Sequence, residues 1–545
     1  MASYHQLPNG EEEINLDKDT HTRRPPPTST TRHTSTNRGR IQNAFDRAVD
    51  SFDRAAPNWL RKRATPINAL VAFGGLLILT LVVGYMVLLG KPDSAISKSK
   101  FGQAVGLGPG DYLNAAKTDQ VPLETDPFVN DVVLITKVGS ATLFERLMTH
   151  VALRSASGSV APKSLFFSDA ESRVGEIHIQ DILANVSDRI KKDREFSQLY
   201  SITHDLLDNH QRLDQVLDKE TGWKLDKFKF LPMMGEAYRK YPDAKWYVMV
   251  EADTFLFWNQ LVKWLKAQDH EEQLYFGHPS FTDHEGKSFM FSHGGSGFVL
   301  SKGIMDATYG LDPEFEHHQD DLVLHSAFGD ALLSLAIFNT TTVKIDKLSE
   351  QGWEKFNDVP PRQLKFRKDV WCNQLFTFHH VTPNDIYDLY DFQTRIEARL
   401  KKNDFLRWAD VWEEFKPQYL KKTVMPGKEV LKRGWQVMWD WDSETDDSYT
   451  SDAVRCQEKC RENEDCYMWE WKEDGGSGRK RSENSLRSRS DRGNCRWTSQ
   501  FLRIGVINPD NERIFSGWMG DRIERWAKVN QCAGREGFTW EPSSE

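Results

Sequence analysis

Two carboxylates, Glu251 and Asp253, directly follow the apolar run Lys245–Val250, which is typical of a buried strand. Acidic side chains at the carboxyl end of a sheet strand lie where ligands of α/β proteins bind. Carboxylates two residues apart in a turn can both reach a hard divalent cation, and such a cation can bridge diphosphate oxygens. The pair therefore predicts a cation site. The alternative is an acidic strand end that caps the next helix.

Three more segments carry candidate residues. Gly294 and Gly295 form a turn that leads into an apolar segment, and backbone without Cβ atoms can approach a ligand closely. Asp330 opens an apolar helix, and His379 and His380 follow a strand-like run. Together with the two acids, these residues mark four separate stretches of the chain that one site would have to bring together.

The elements that must position these residues alternate in type. Strand-like runs at Asp131–Thr136, Ser164–Ser168 and Lys245–Val250 alternate with helix-like segments at Phe196–Leu217 and Leu225–Lys240. This alternation predicts an α/β sheet whose strand ends carry the acids.

In order and spacing, the four stretches resemble the β1,3-glycosyltransferases of glycosyltransferase family 31, which include Fringe and the mucin core galactosyltransferase. The resemblance spans Phe128 to Pro383. Those enzymes carry an acidic triplet, a GGxG turn, an acidic pair that opens a helix, and an F-H-x-V segment. The chain is most similar to a divergent branch seen in fungi and plants, in which a Gly-Asp pair replaces the acidic pair. The resemblance implies an α/β nucleotide-sugar domain of the type called GT-A.

The resemblance also implies a Mn²⁺ site. Asp253 matches the last acid of the triplet, which binds the metal, whereas Glu251 and Ala252 replace the first two. We include Glu251 among the predicted ligands because its carboxylate can reach the same cation. His379 matches the metal-binding imidazole of the family, and His380 is the alternative.

Asp330 matches the position of the family's proposed general base, which takes the proton from the attacking acceptor hydroxyl. A helix N-cap is the other role that an aspartate there can fill. Asp320 and Asp321 are competing candidates for the base. The predicted donor-binding residues lie at strand ends and in the turn, and are Thr136, Ser168, Asp169, Gly294 and Gly295.

These assignments predict an enzyme that transfers a hexose or an N-acetylhexosamine from a UDP-sugar to a glycan or glycoprotein acceptor. The resemblance implies inversion and a β1,3 bond. The alternative is a catalytically silent relative, in which the Glu251-Ala252 replacement has weakened metal binding and the C-terminal part acts as a luminal glycan or protein receptor. A net charge of −9 gives no electrostatic case for nucleic-acid binding.

The chain before the sheet predicts a type II membrane protein. Residues 1–66 are polar and predicted to be a disordered cytosolic tail, residues 67–90 an uncharged transmembrane anchor, and residues 91–127 a luminal stem. Basic residues crowd the N-terminal side of the anchor, which favours a cytosolic N-terminus. Sequons at Asn185 and Asn339 lie after the anchor, as do all cysteines, so we expect the Golgi, or else the endoplasmic reticulum.

The last part of the chain carries five of the six cysteines, which favours disulfides over a zinc site because no CxxC pairs occur. The predicted boundaries are a transferase domain at 128–430 and a cysteine-containing module at 431–545, with a mobile loop at 475–492. The module resembles PAN/Apple modules, which bind proteins or carbohydrate. Cys372 stands apart, so either it pairs with a tail cysteine or two thiols stay free.

Overall fold

The computed structural model describes residues 126–533 with internal gaps. The gaps are 158–160, 218–221, 223, 285, 342, 344–352, 402–403, 417–429, 474–492 and 509–512. The predicted tail, anchor and most of the stem lie outside the described residues. In the described part of the chain no helix is both long enough and apolar enough to cross a membrane.

Strands of the first two thirds of the described chain lie mostly in one sheet and two small ladders. In chain order they are β1 (Val132–Lys137), β2 (Lys163–Ser168), β3 (Ser172–Val174), β4 (Ile177–Asp181), β5 (Trp246–Glu251), β6 (Phe255–Leu256), β7 (Tyr275–Gly277), β8 (Pro279–His284), β9 (Lys287–Ser292), β10 (Phe298–Ser301), β11 (Phe366–Arg367) and β12 (Thr377–Phe378). The later strands are β13 (Val430–Arg433), β14 (Trp435–Gln436), β15 (Asp446–Thr450), β16 (Met468–Glu473), β17 (Gly493–Thr498), β18 (Phe501–Leu502), β19 (Val506–Ile507) and β20 (Ile514–Trp518).

Helices connect and cover these strands. They are α1 (Leu143–Ser157), α2 (Asp188–Lys192), α3 (Arg194–Asp208), α4 (Leu213–Val216), α5 (Phe230–Lys240), α6 (Trp258–Leu265), α7 (Lys302–Met305), α8 (Phe315–His318), α9 (Asp320–His325), α10 (Gly329–Thr340), α11 (Pro383–Glu397), α12 (Trp408–Phe415), α13 (Ala453–Glu462) and α14 (Gly520–Val529).

The central sheet has the order β3-β4-β2-β1-β5-β10-β7. Strands β4, β2, β1 and β5 run parallel. At one edge β10 pairs antiparallel with β5, and β7 pairs antiparallel with β10. At the other edge β3 pairs antiparallel with β4. The predicted α/β sheet is therefore confirmed, with a parallel centre. Every residue of β1 is buried, as expected for a strand covered on both faces.

The chain reverses its direction of winding between β1 and β5. From β1 it moves outward to β2 and β4, and then returns to place β5 on the other side of β1. Lys137 and Glu251 face each other in register at the carboxyl ends of these two strands. Ligands of open α/β sheets bind in the crevice at such a switch point, so the topology itself indicates where a site should lie.

Two of the predicted helices differ from the observed ones. The segment expected to be helical to Leu217 ends at Asp208, because His210 adopts a left-handed φ of 55°. There Gln211 N donates to Leu206 O and His210 N donates to Leu207 O, which is a Schellman termination. The helix expected from Leu225 begins as a 3₁₀ turn at Asp226–Lys229, and α5 begins only at Phe230.

A five-stranded antiparallel sheet, β13-β20-β16-β17-β15, forms the last part of the chain, and α13 packs on it. The predicted disulfides are present as Cys456–Cys495, Cys460–Cys466 and Cys372–Cys532. Cys372 therefore pairs with a tail cysteine. The mobile loop predicted at 475–492 lies outside the described residues.

Residues on both sides of position 430 share one hydrophobic core. That core joins Phe378 and Trp412 to Trp518 and Ile523, and β11 pairs directly with β18. The apolar contact is continuous, so the parts of the chain before and after residue 430 stabilise each other across the predicted boundary.

Candidate functional site

The short ladder between β6 and β12 builds the first half of the site. Phe378 pairs with Phe255, so the residue after β12, His379, comes beside the turn that precedes β6. The N–H group of Val381 then donates to the carbonyl of Asp253 at 3.1 Å. Backbone pairing alone therefore brings together two segments that are more than a hundred residues apart.

Asp253, His379 and His380 form a group whose ligand atoms all lie within 4.8 Å of one another. His379 Nε2 is 3.6 Å from Asp253 Oδ1, and His380 Nδ1 is 3.7 Å from Asp253 Oδ2. His380 has a φ of 55°, a left-handed conformation that is uncommon outside glycine and that clusters at functional sites. Asp253 and His379 are buried, whereas His380 is exposed.

The chemistry of this group fits a divalent cation. Asp253 Oδ1 is buried and accepts no hydrogen bond from the described residues, an arrangement that a cation would satisfy. Burial would raise the pKa of Asp253, but the two imidazoles and the Arg146 guanidinium together hold that pKa well below its ordinary value. The carboxylate is thus kept ionised, and one carboxylate with two imidazoles suits Mn²⁺ and its neighbours in the first transition series.

Glu251, which the sequence suggested as a further ligand, does not belong to this group. Its Oε1 lies 3.1 Å from the ammonium of Lys137, which also pairs with Asp226. Lys137 is almost fully buried, so its charge needs these carboxylates as partners. The geometry gives Glu251 the role of a counter-ion at the end of β5.

The predicted glycine turn packs between His379 and Asp330. A Cβ atom on Gly295 would lie 2.0 Å from Cε1 of His379, so only glycine leaves room for the imidazole. The carbonyl of Gly295 accepts a hydrogen bond from Thr254 Oγ1 at 2.7 Å. On its other side, Gly294 N donates to Asp330 Oδ2 at 2.8 Å. One turn therefore fixes the imidazole of His379 and the carboxylate of Asp330 relative to each other.

Asp330 is the second residue of α10, while Phe328 occupies the N-cap position. The N-cap role considered for Asp330 therefore does not hold in its strict form, although its Oδ1 accepts from Ala331 N at 2.9 Å. Burial raises the pKa of Asp330 to about 6, against the opposing effect of the two backbone donors. A carboxyl with such a pKa is suited to accept a proton near neutral pH.

The competing acids lie in other surroundings. Asp320 Oδ2 accepts from Ser187 Oγ at 2.5 Å, and Asp321 is exposed and pairs with Arg189. Both therefore join α9 to α2, and neither has a hydrogen bond to the glycine turn among the described residues.

The predicted donor-binding residues lie at the carboxyl edge of the sheet. Thr136 is buried near the end of β1, and its Oγ1 has no hydrogen-bond partner in the described part of the chain. Ser168 ends β2 and is fully buried. Asp169 accepts from Ser140 N at 2.9 Å and pairs with the buried ammonium of Lys229 at 2.8 Å. Burial would raise the pKa of Asp169, but the Lys229 charge lowers it below its ordinary value.

Sequence reasoning missed several charged residues at this edge. Lys137 and Lys229 share Asp226, which lies between them, and together they form a buried ion network. Arg146 Nη1 lies 3.0 Å from Asp253 Oδ2. A lysine that ends an apolar strand is the only sequence signal that could have indicated the network, and the Arg146 contact has no local signal at all.

A family model described as Fringe-like matches residues 186–333. That range contains Asp253, the glycine turn and Asp330, but it stops before His379 and begins after Asp169. No curated protein matches the chain. Because Fringe-like domains are glycosyltransferases, the match supports a glycosyltransferase.

Proposed function

We propose that this protein is a metal-dependent glycosyltransferase of the GT-A type that uses a UDP-sugar donor. It transfers a hexose or an N-acetylhexosamine to a hydroxyl of a glycan or glycoprotein, with inversion and formation of a β1,3 bond. The acceptor, the linkage and the UDP donor rest on the likeness to Fringe-like enzymes.

The observation that carries the proposal is the double contact of the glycine turn. Gly295 packs against the imidazole of His379, and the N–H group of Gly294 donates to the carboxylate of Asp330. The candidate cation ligands and a carboxylate of raised pKa therefore border the same turn. A transferase needs these two functions side by side, because the leaving diphosphate and the attacking hydroxyl lie on opposite faces of one anomeric carbon.

The residues present would divide the reaction as follows. Asp253, His379 and His380 would hold the cation, which would supply positive charge against the leaving diphosphate. Asp330 would take the proton from the acceptor hydroxyl as it attacks. Positioning of donor and acceptor would supply much of the remaining acceleration.

The proposal places the catalytic part in the Golgi lumen, behind a type II anchor at residues 67–90. Asn185 lies exposed in a turn, and Asn339 is exposed near the end of α10, so both sequons are accessible. If the topology is right, endoglycosidase should shift the mobility of the wild-type protein but not that of the Asn185→Gln/Asn339→Gln variant. A shift that persists in the variant would place glycans elsewhere, and protease-accessible C-terminal epitopes in sealed microsomes would overturn the orientation.

The experiment that tests the function is a donor screen with the full-length protein in detergent. UDP release is measured from a set of UDP-sugars with EDTA, and again after Mn²⁺ is restored. We expect release from at least one donor only when Mn²⁺ is present, and faster release with a glycan acceptor. Release that is the same in EDTA, or no release with any donor, would contradict the proposal, and the second result would favour the receptor alternative.

A further inference from the structure

Arg146 shares the carboxylate of Asp253 with the candidate cation site. Its Nη1 lies 3.0 Å from Oδ2, the same oxygen that lies 3.7 Å from Nδ1 of His380. The Asp253 side chain is only 6% exposed, whereas that of Arg146 is 39% exposed. A guanidinium thus reaches from the surface to a buried ligand atom of the group.

Helix α1 fixes where this arginine begins, and the charged end of the side chain is partly exposed to solvent. Leu143 and Leu147 are buried in one cluster with Phe166 and Ile179, and so anchor the first turns of the helix against the sheet. Arg146 lies between them with a half-exposed side chain, so its long stem can rotate without disturbing the core. The arginine is therefore anchored at its base and adjustable at its charged end.

A guanidinium and a divalent cation cannot both neutralise Asp253 without repelling each other, because like charges a few ångströms apart in a partly buried site interact strongly. Binding of a cation should therefore displace Arg146 from Oδ2. Three protein ligands leave coordination positions open for an anion, and a planar guanidinium pairs well with phosphate oxygens through two parallel hydrogen bonds. A diphosphate on the cation would thus offer the displaced arginine a new partner.

We infer that Arg146 occupies Asp253 while the metal is absent, and turns to the diphosphate of the donor once metal and nucleotide are bound. The inference rests on the proposed function, since it takes the ligand to be a nucleoside diphosphate. Arg146 is then a positioning residue that makes cation binding without nucleotide unfavourable and couples it to donor binding.

The test compares the full-length protein with its Arg146→Met, Arg146→Lys and Arg189→Met variants. Arg189 is the matched control, because it is an exposed arginine that pairs with an exposed aspartate, Asp321, on the surface. Free Mn²⁺ is measured by electron paramagnetic resonance without nucleotide, and UDP binding is measured by calorimetry in saturating Mn²⁺. Thermal melting confirms that each variant is folded.

Arg146→Met should bind Mn²⁺ alone more tightly than wild type, and should bind UDP about tenfold more weakly or worse, as loss of a charge-assisted hydrogen bond predicts. Arg146→Lys should retain part of the UDP affinity, and Arg189→Met should match wild type in both measurements. Unchanged or weaker Mn²⁺ binding by Arg146→Met, or unchanged UDP binding, would overturn the inference.

The two binding measurements do not depend on turnover. If the wild-type protein turns over no UDP-sugar while both affinities shift as predicted, the proposed transferase activity is wrong and the role of Arg146 stands. If turnover is normal and neither affinity shifts, the activity stands and the role of Arg146 is wrong.

Discussion

At the scale of single residues, Asp330 combines structural and chemical demands in one carboxylate. Its two oxygens accept hydrogen bonds from Gly294 and Ala331, which hold it against the glycine turn. Its raised pKa follows from burial beside that turn. Burial thus prepares the carboxylate to accept a proton, while the hydrogen bonds that orient it oppose this effect in part.

Asp330→Asn should separate these two demands. Asparagine keeps one carbonyl oxygen as an acceptor, so at acid pH, where Asp330 is protonated, the cost in stability should be about 1 kcal/mol, the contribution of one hydrogen bond. Loss of a positioned base should lower turnover by about 10² to 10⁴. Turnover, UDP affinity and melting temperature are the measurements, with Asp321→Asn as the exposed control. Turnover equal to wild type would remove Asp330 from the reaction, and a large drop in melting temperature would make its role structural.

The pKa of Asp330 also predicts how activity depends on pH. The base must be ionised, so kcat/KM should fall as the pH drops below about 6.

The free energy of unfolding should depend on pH in the opposite direction. The pKa of Asp330 in the folded protein lies above its ordinary value, so protonated Asp330 favours the folded state. This contribution to the stability of the protein is fully present below the ordinary pKa and is lost as the pH rises through about 6. Asp330→Asn should therefore gain stability relative to wild type between pH 4 and pH 7. A melting difference that stays constant over this range would show that Asp330 does not titrate there.

Single residues also show what sequence can predict. Asp253, His379 and Asp330 were found because their types and order match a known pattern, and the structure brings all three to one turn. Arg146 was missed because its contact with Asp253 depends on where α1 lies over the sheet. Glu251 was predicted as a ligand from its spacing to Asp253, and spacing alone could not show that its carboxylate pairs with Lys137.

At the scale of elements, the glycine turn before β10 positions the candidate site. The hydroxyls of Thr254 and Thr377 donate hydrogen bonds to two carbonyls of this turn, those of Gly295 and Ser296. Gly297 has a φ of 77°, the left-handed conformation that lets the chain enter β10. The turn can therefore tolerate little change.

Gly295→Ala should damage the metal group more than the fold. The new Cβ atom would collide with the imidazole of His379 and push that ring away from Asp253. We expect weaker Mn²⁺ binding, measured by electron paramagnetic resonance, and lower turnover at limiting Mn²⁺. Gly222→Ala is the control, because a Cβ atom there meets no atom of the described residues within 4 Å. Wild-type Mn²⁺ affinity in Gly295→Ala would mean that His379 does not bind the metal.

Helices and strands were predictable to different degrees. The strands β1, β2 and β5 were found to within one residue because long apolar runs define them. The end of α3 was missed because a histidine, and not a glycine, adopts the left-handed conformation after it. The β6–β12 ladder is only two residues long on each side, so its pairing depends on tertiary contacts that no local pattern records.

At the scale of the whole molecule, the cysteine-containing part is joined to the transferase-like part by a shared core, a strand pair and the Cys372–Cys532 disulfide. Sequence could leave only two options for Cys372, because pairing depends on distances in the folded chain. The resemblance of residues 431–545 to a PAN/Apple module stays a prediction.

The disulfides should differ in what they contribute to stability. Cys372–Cys532 closes a sequence separation of 160 residues, and Cys460–Cys466 closes one of 6. Chain entropy predicts that the longer loop contributes about 3 kcal/mol more. The Cys372→Ser/Cys532→Ser variant should therefore melt at a clearly lower temperature than Cys460→Ser/Cys466→Ser. Equal melting temperatures would mean that the joined parts do not need the long-range crosslink.

The central claim is that the cation on which turnover depends is held by Asp253 and its two histidines, without Glu251 as a ligand. The most direct test is UDP release from an active UDP-sugar as Mn²⁺ is titrated into wild type, Asp253→Asn and Glu251→Gln. We predict that Asp253→Asn stays inactive at every Mn²⁺ concentration, and that Glu251→Gln needs the same Mn²⁺ concentration for half activity as wild type. Wild-type turnover by Asp253→Asn, or a raised Mn²⁺ requirement confined to Glu251→Gln, would contradict the claim.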